Sequence, residues 1–117
     1  MMEAKALKKH IRSSQRKMRL VIDLIRGKKA YEALTMLKFN NKLASTDAEM
    51  VLRSAIANLD VKAREEGINI SDDDIFIKEA YVNCGPSMKR ILPAPMGRAF
   101  RIRKRSNHLT IVVEAKE

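Results

Sequence analysis

Large aromatic side chains are almost missing from this sequence. It has no tryptophan, and aromatic residues make up only 4% of its 117 residues. The core must therefore be built from Leu, Ile, Val, Met and Ala, within a hydrophobic fraction of 45%. This length corresponds to a single domain, residues 1–117.

Disulfides and membrane segments are also missing. Cys84 is the only cysteine, which excludes an intrachain disulfide and fits a reducing compartment. No apolar run approaches the roughly 20 residues of a membrane span. The first ten residues lack the apolar segment of a signal peptide. We therefore expect no membrane partner.

Acidic residues are absent from residues 85–108, which contain seven Lys and Arg. Residues 1–30 contain ten Lys and Arg against two acids, whereas residues 31–84 contain six against ten. The formal net charge is +10. A solvated surface usually mixes both signs. Two basic blocks around an acidic middle therefore predict two phosphate-facing surfaces and a polyanionic partner.

The residue patterns of catalytic and metal sites are missing as well. The sequence has no nucleophile–base pair and no phosphate-binding glycine loop, so we expect no enzyme activity, cofactor or small-molecule substrate. His10, His108 and Cys84 are too few for a zinc site, and residues 72–74 (Asp-Asp-Asp) lack the further ligands of a calcium loop. We expect His108 to hydrogen-bond or stack where the basic segment rejoins the body.

Two helices are predicted before residue 40. Ser14 is a suitable N-cap for the first, and Gly27 lies just past its end. A second, short helix is expected over about residues 30–39. The first helix has an apolar stripe at i, i+3, i+4 and i+7, formed by Met18, Val21, Ile22 and Ile25.

A longer third helix is predicted up to Gly67. Asn41 or Thr46 is expected to cap its start, Thr46 in a capping box with Glu49. Its apolar stripe is formed by Ala48, Val51, Leu52, Ala55, Ile56 and Leu59.

Three segments have the composition of strands: residues 3–11, residues 75–83 and a return strand over residues 100–114. The connection between the second and third contains all three prolines, which cannot donate ladder hydrogen bonds. We therefore predict an α+β fold, with three helices packed on a small three-stranded antiparallel sheet and a long protruding β-hairpin. Residues 1–84 and 106–117 form the globular body, and residues 85–105 form the basic hairpin.

The period of two in a strand assigns the cations of the predicted hairpin to its two faces. Arg101, Arg103 and Arg105 share one face, and Lys104 lies on the other with Phe100 and Ile102. Lys89, Arg90 and Arg98 lie nearer the tip. Arginine suits phosphate binding because its planar fork pairs with phosphate through two hydrogen bonds.

Three segments resemble the large-subunit ribosomal protein L-twenty-two (universal uL-twenty-two) family of bacterial type. The hairpin reads NCGPSMKRILPAPMGRAFRIRKRSNHLTIVV, the first two helices read SSQRKMRLVIDLIRGKKAYEALTML, and the long helix contains VLRSAIANL. The likeness covers nearly the whole chain. It implies a structural component of the large subunit that binds ribosomal RNA and helps assembly, in the cytoplasm. An organellar ribosome is the alternative setting.

The resemblance also implies partners and site residues. Its partners would be large-subunit ribosomal RNA, neighbouring ribosomal proteins and, transiently, the nascent peptide. The RNA-binding residues would be Arg12, Arg16, Lys17, Arg19, Arg26, Lys28, Lys89, Arg90, Arg98, Arg101, Arg103, Lys104, Arg105 and His108. The tip lining the exit tunnel would be Met88, Ile91, Leu92, Pro93, Ala94, Pro95 and Met96.

The tip departs from the family pattern. Family members commonly read PRAKGRA where this chain reads PAPMGRA, so Ala94 and Met96 replace two basic residues and Pro95 is added. This change predicts a stiffer, less charged and more apolar tip.

A second function class also fits the basic hairpin. An architectural DNA-binding protein can use a basic, proline-tipped β-arm to bend duplex DNA. That interpretation leaves the basic block on the first helix unexplained.

Overall fold

The computed structural model describes residues 2–93, 95–97 and 99–115. Its helices are α1 Gln15–Asp23, α2 Ala30–Lys38 and α3 Ala44–Glu66. Its strands are β1 Met2–Ile11, β2 Ile75–Cys84, β3 Met88–Pro93, β4 Ala99–Lys104 and β5 Asn107–Ala115. Short 3₁₀ turns occupy Asp72–Asp74 and Pro95–Gly97. Within these residues the α+β fold with a hairpin is as predicted.

The strand β5 lies at the centre of a three-stranded antiparallel sheet of order β1-β5-β2. Every second residue of β5 from Asn107 to Ala115 is buried, as expected when one face of a strand packs on a core. The apolar LTIVV sequence makes β5 suitable for the central position. The strand β1 carries lysines along its length and lies at an edge, where charged side chains discourage further pairing.

The helices cover one face of this sheet. The predicted stripe of α1 is fully buried, and Ile25, just beyond the helix, belongs to it. The predicted stripe of α3 is also buried, between 0% and 5% exposed. Three of its six members are not larger than valine, which lets the long helix approach the sheet closely. Aliphatic side chains therefore fill the space between the helices and the sheet.

The helix ends match the prediction only in part. Ser14 Oγ accepts a hydrogen bond from the Lys17 N–H at 3.3 Å, which confirms the N-cap of α1. Gly67 adopts the left-handed conformation, with φ of 68°, and terminates α3 as predicted. However, α1 ends at Asp23, so Gly27 (φ of 74°) closes the turns after the helix rather than the helix itself.

The predicted N-cap of α3 is wrong. The helix begins at Ala44 after Leu43, and no side chain caps it. The preceding loop satisfies its own polar groups. Asn40 Oδ1 accepts from the Lys42 N–H at 2.9 Å, and the Ser45 hydroxyl donates to the Lys42 carbonyl at 2.6 Å. The helix therefore starts before Thr46, which lies inside its first turn.

The predicted single return strand over residues 100–114 is two strands. The strand β4 pairs with β3 in a separate two-stranded sheet, and only β5 pairs with the body. Residues 105 and 106 separate them. We call the hairpin of β3 and β4 the arm. The body and the arm together form an elongated molecule, with principal extents of 67 × 25 × 15 Å.

Both outer edges of the three-stranded sheet are covered by helix side chains. Arg26 of the α1–α2 connection donates to the Ala80 carbonyl at 2.8 Å, and Arg19 donates to the Val82 carbonyl at 3.3 Å. On the opposite edge, Asn58 of α3 donates to the Lys5 carbonyl at 2.9 Å. These contacts occupy backbone acceptors that an exposed strand would offer to another chain.

Candidate nucleic-acid interface

The register of the arm sets like charges directly opposite each other. Lys89 pairs with Arg103, and on the same face Ile91 pairs with Arg101. Opposed like charges on neighbouring strands destabilise a sheet, and a two-stranded hairpin alone is marginal in water. Pairing of the two strands alone therefore stabilises the arm little.

The other face of the arm mixes apolar and basic side chains. There Met88 pairs with Lys104, Arg90 pairs with Ile102, and Leu92 pairs with Phe100. Arg101 and Arg103 share one face, as predicted, whereas Arg105 follows β4 and lies outside the ladder. The cations thus lie on both faces of the arm, with Lys104 on the face opposite Arg101 and Arg103, as predicted.

The cations described in the arm have no acidic partners. The four ion pairs of the described residues all lie in the body. The Arg90 side chain donates hydrogen bonds to the Lys89 carbonyl at 3.1 Å and to Met88 Sδ at 3.5 Å, both within β3. These side chains are exposed and remain available to bind phosphate.

The tip is apolar and exposed. Met96 is 94% exposed, Ile91 71% and Leu92 50%. Met96 has φ of 64°, a left-handed conformation that non-glycine residues seldom adopt, and it precedes Gly97 with φ of 72°. Ala94 and Arg98 lie outside the described residues, as do the side chains of Pro95 and Phe100.

The root of the arm is held by close backbone contacts. The Gly85 N–H donates to the Ser106 carbonyl at 3.0 Å, and the Ser106 hydroxyl donates to the Pro86 carbonyl at 2.7 Å. A Cβ on Gly85 would lie only 2.5 Å from Ser106 Oγ and 3.1 Å from its carbonyl carbon. Glycine is therefore required where the two arm segments leave the body.

Two histidines meet beside this root. His108 Nδ1 accepts the backbone N–H of His10 at 3.1 Å, and the rings are perpendicular with centroids 5.0 Å apart. The prediction that His108 hydrogen-bonds and stacks where the arm rejoins the body is confirmed. One of its nitrogens is thereby committed to the fold.

The second basic group lies on and around α1. Arg12, Arg16, Lys17 and Lys28 are exposed, and none forms an ion pair among the described residues. Arg19 and Arg26 are different, because both hold the edge of β2. The helix packs on α3, β2 and β5, whereas β3 and β4 pack chiefly on each other.

A hollow of about 500 Å³ opens beside the N-terminus of α1. Arg12 and Lys17 line one side, and Lys42 and Leu43 of the α2–α3 loop line the other. Lys42 was not among the predicted RNA-binding residues, because it lies in the acidic middle of the sequence. Its proximity to residues 12–20 depends on the tertiary packing of α3 against α1.

A second hollow, of about 530 Å³, carries mixed charge. Glu3 and Lys78 form an ion pair across it. A hydrogen bond from the Lys78 ammonium lowers the pKa of the Glu3 carboxyl, and the same bond raises the pKa of Lys78. This surface neutralises its own charge, so it is a poor candidate for an anion site.

The described part of the chain has neither a metal-binding cluster nor a membrane-spanning helix. No three His, Cys, Asp or Glu side chains there lie close enough to hold a metal ion. None of the helices in these residues is long and apolar enough to cross a membrane.

Comparison with known proteins identifies the family. The model of the family described as "Ribosomal protein L22p/L17e" matches residues 6–114. "Large ribosomal subunit protein uL22" of Bifidobacterium animalis subsp. lactis is 52% identical over 116 residues, 99% of this chain and 98% of that protein. The proteins of the same name from Chlorobaculum tepidum and Solibacter usitatus are 51% and 50% identical, each over 99% of this chain and over 96% and 99% of their own lengths. The chain belongs to the ribosomal protein L22p/L17e family.

Proposed function

We propose that this chain is a structural, non-enzymatic component of the large ribosomal subunit of a bacterial-type cytoplasmic ribosome. It binds ribosomal RNA through the arm and through the exposed cations around α1. One observation supports RNA binding above the others: Lys89 and Arg103 face each other across the arm with no acid nearby among the described residues. Such a pair is favourable only beside phosphate.

The mechanism is electrostatic. Each cation that neutralises a phosphate releases condensed counterions, so RNA affinity falls as salt rises. Because the arm carries cations on both faces, it can lie between RNA segments and hold them together during subunit assembly. Neighbouring ribosomal proteins would then contact the remaining body surface.

A salt series with the full chain tests RNA binding. In the double variant Lys89→Ala/Arg103→Ala, the slope of log affinity against log salt for large-subunit ribosomal RNA should decrease by about 1.4–1.8, or 0.7–0.9 per lost phosphate contact. The matched control is Lys38→Ala/Arg64→Ala, which removes the same charge from the last turns of α2 and α3. Equal slopes in the two variants would contradict a specific role for the arm.

The same series separates RNA from DNA. Affinity for large-subunit RNA should exceed affinity for duplex DNA of equal length at every salt concentration. The architectural DNA-binding alternative requires the opposite preference, and DNA bending on binding.

The tip belongs to the same proposal. We expect the tip to line the nascent-peptide exit tunnel. Its apolar, exposed end bears Ile91, Leu92 and Met96 and suits a tunnel through which both charged and uncharged peptide segments must slide. In assembled large subunits, a photo-crosslinker attached to Met96→Cys in a Cys84→Ser background should label a stalled nascent chain. The control attachment at Arg64→Cys should not label it, and equal labelling at both positions would argue against a tunnel location.

A further inference from the structure

The hollow beside α1 combines positive charge with exposed apolar side chains. Its basic lining is Arg12, Lys17 and Lys42. Leu20 and Leu43 lie beside them, and they are 54% and 86% exposed. An occupant that suits both parts must be anionic at one end and apolar and flat or compact at the other.

The only acid in the hollow is already neutralised. Asp47 Oδ1 accepts from the Lys8 ammonium at 2.8 Å. No ion pair among the described residues engages the side chains of Arg12, Lys17 or Lys42. The hollow therefore presents three uncompensated positive charges, which favours an anionic occupant.

The floor of the hollow is held rigidly. Ser13 accepts two hydrogen bonds from Asn107, both at 2.8 Å, and Ser14 caps α1 through Lys17 N–H. Ala44, at the start of α3, is 7% exposed. The volume of about 500 Å³ falls in the range of roughly 300–1,000 Å³ that is typical of small-ligand sites.

We propose that this hollow holds one unstacked nucleotide of the bound RNA. Its phosphate would be bound by Lys17 and Lys42, and its base would lie against Leu20, Leu43 and the planar guanidinium of Arg12, a group that stacks on bases. Sequence-specific RNA recognition commonly uses bases that have left the helical stack. This inference rests on the proposed function and gives the body a recognition role separate from that of the arm.

Two variants separate the two halves of the site. Lys42→Ala should weaken binding to large-subunit ribosomal RNA and decrease the salt slope by about 0.7–0.9. Leu43→Ser should weaken binding on the order of threefold to tenfold with an unchanged salt slope. Both residues are exposed, so thermal unfolding should remain cooperative in both variants.

The matched controls lie outside the hollow. Leu24 is the C-cap residue of α1, is 47% exposed and does not line the hollow. Lys38 is exposed in α2. Leu24→Ser and Lys38→Ala should bind as the unsubstituted chain does. In 2′-hydroxyl footprinting, one nucleotide should change reactivity in the wild-type complex and revert in Leu43→Ser but not in Leu24→Ser.

The possible failures are distinguishable. If the unsubstituted chain shows no preference for ribosomal RNA, both the proposed function and the nucleotide site are wrong. If RNA binding is preserved but Lys42→Ala and Leu43→Ser match their controls, only the nucleotide site is wrong. An effect of these variants that requires another ribosomal protein would assign the hollow to an acidic protein segment and overturn the proposal.

Discussion

Asn107 links the sheet to the segment just before α1 through buried hydrogen bonds. Its side chain is fully buried. The amide nitrogen donates to the carbonyl and to the hydroxyl of Ser13, both at 2.8 Å. Its Oδ1 has no hydrogen-bond partner in the described part of the chain. The amide thus acts as a donor in two directions and as an acceptor in none.

The effect of removing this side chain can be worked from these contacts. Asn107→Ala loses two hydrogen bonds worth about 0.5–1.5 kcal/mol each, but it also removes an unpaired acceptor whose burial costs about 1–3 kcal/mol. These two contributions nearly cancel, so the unfolding free energy of Asn107→Ala should stay within about 1 kcal/mol of the parent. Asn107→Asp should lose more, about 3–5 kcal/mol, because it places an uncompensated carboxylate against the Ser13 carbonyl.

Urea unfolding followed by circular dichroism measures both losses by linear extrapolation. The matched control is Asn83→Asp, the same change at an exposed position of β2, which should stay within about 0.5 kcal/mol of the parent. The deficit of Asn107→Asp should shrink as pH falls, since a neutral carboxyl is less costly to bury. An Asn107→Asp chain as stable as the parent would refute the donor role of the amide.

Three further predictions concern the root, the sheet surface and the tip. Gly85→Ala should lower the free energy of unfolding by about 1–3 kcal/mol, because the added Cβ overpacks the root of the arm. Adding Ser106→Ala should restore part of that loss in a double-mutant cycle, since it removes the Ser106 Oγ that would lie 2.5 Å from the new Cβ. The pKa of Glu3 is lowered by its bond with Lys78, so this pair should stabilise the fold above the ordinary glutamate pKa of about 4.3. The contribution should be lost as pH falls through the lowered pKa, so the difference in thermal stability between Glu3→Gln and the parent at pH 6 should shrink on acidification. The pKa of Lys78 is raised by the same bond, so the stability that Lys78 contributes to the fold should be lost only in alkali, above the ordinary lysine pKa of about 10.4. Deleting residues 88–96 should leave thermal unfolding cooperative with a similar midpoint, because residues 88–93 are all exposed; a broad, non-cooperative melt would show that the arm supports the body.

The elements with strong local signals were predictable from the sequence. Three elements depend on residues close together in the sequence: the apolar stripe of α1, the Ser14 cap and the apolar run of β5. The cap of α3 was not predictable, because Asn40 and Ser45 satisfy the loop through contacts that compete with capping. The break between β4 and β5 was also missed, since a continuous β-like composition gives no sign of a change of partner.

The candidate interface divides in the same way. The arm could be predicted because its charge pattern is contiguous in the sequence. The roles of Arg19 and Arg26 at the edge of β2 could not, because exposed arginines on a basic helix have the same pattern whether they bind phosphate or a carbonyl. The hollow joins Arg12 to Lys42 across thirty residues, and only the packing of α3 against α1 brings them together.

The central position of β5 also has a consequence for the order of events during synthesis. Within the three-stranded sheet, β1 and β2 do not pair with each other, and β5 lies between them. The strand β5 follows every other described element along the chain. Met2 aligns with Ala115, so closing the sheet joins residues from opposite ends of the described chain, a slow and non-local step. Until β5 is available to pair, the edges of β1 and β2 are open, and the basic arm precedes β5 in the order of synthesis. The arm is therefore available to an RNA before the body that carries it can close.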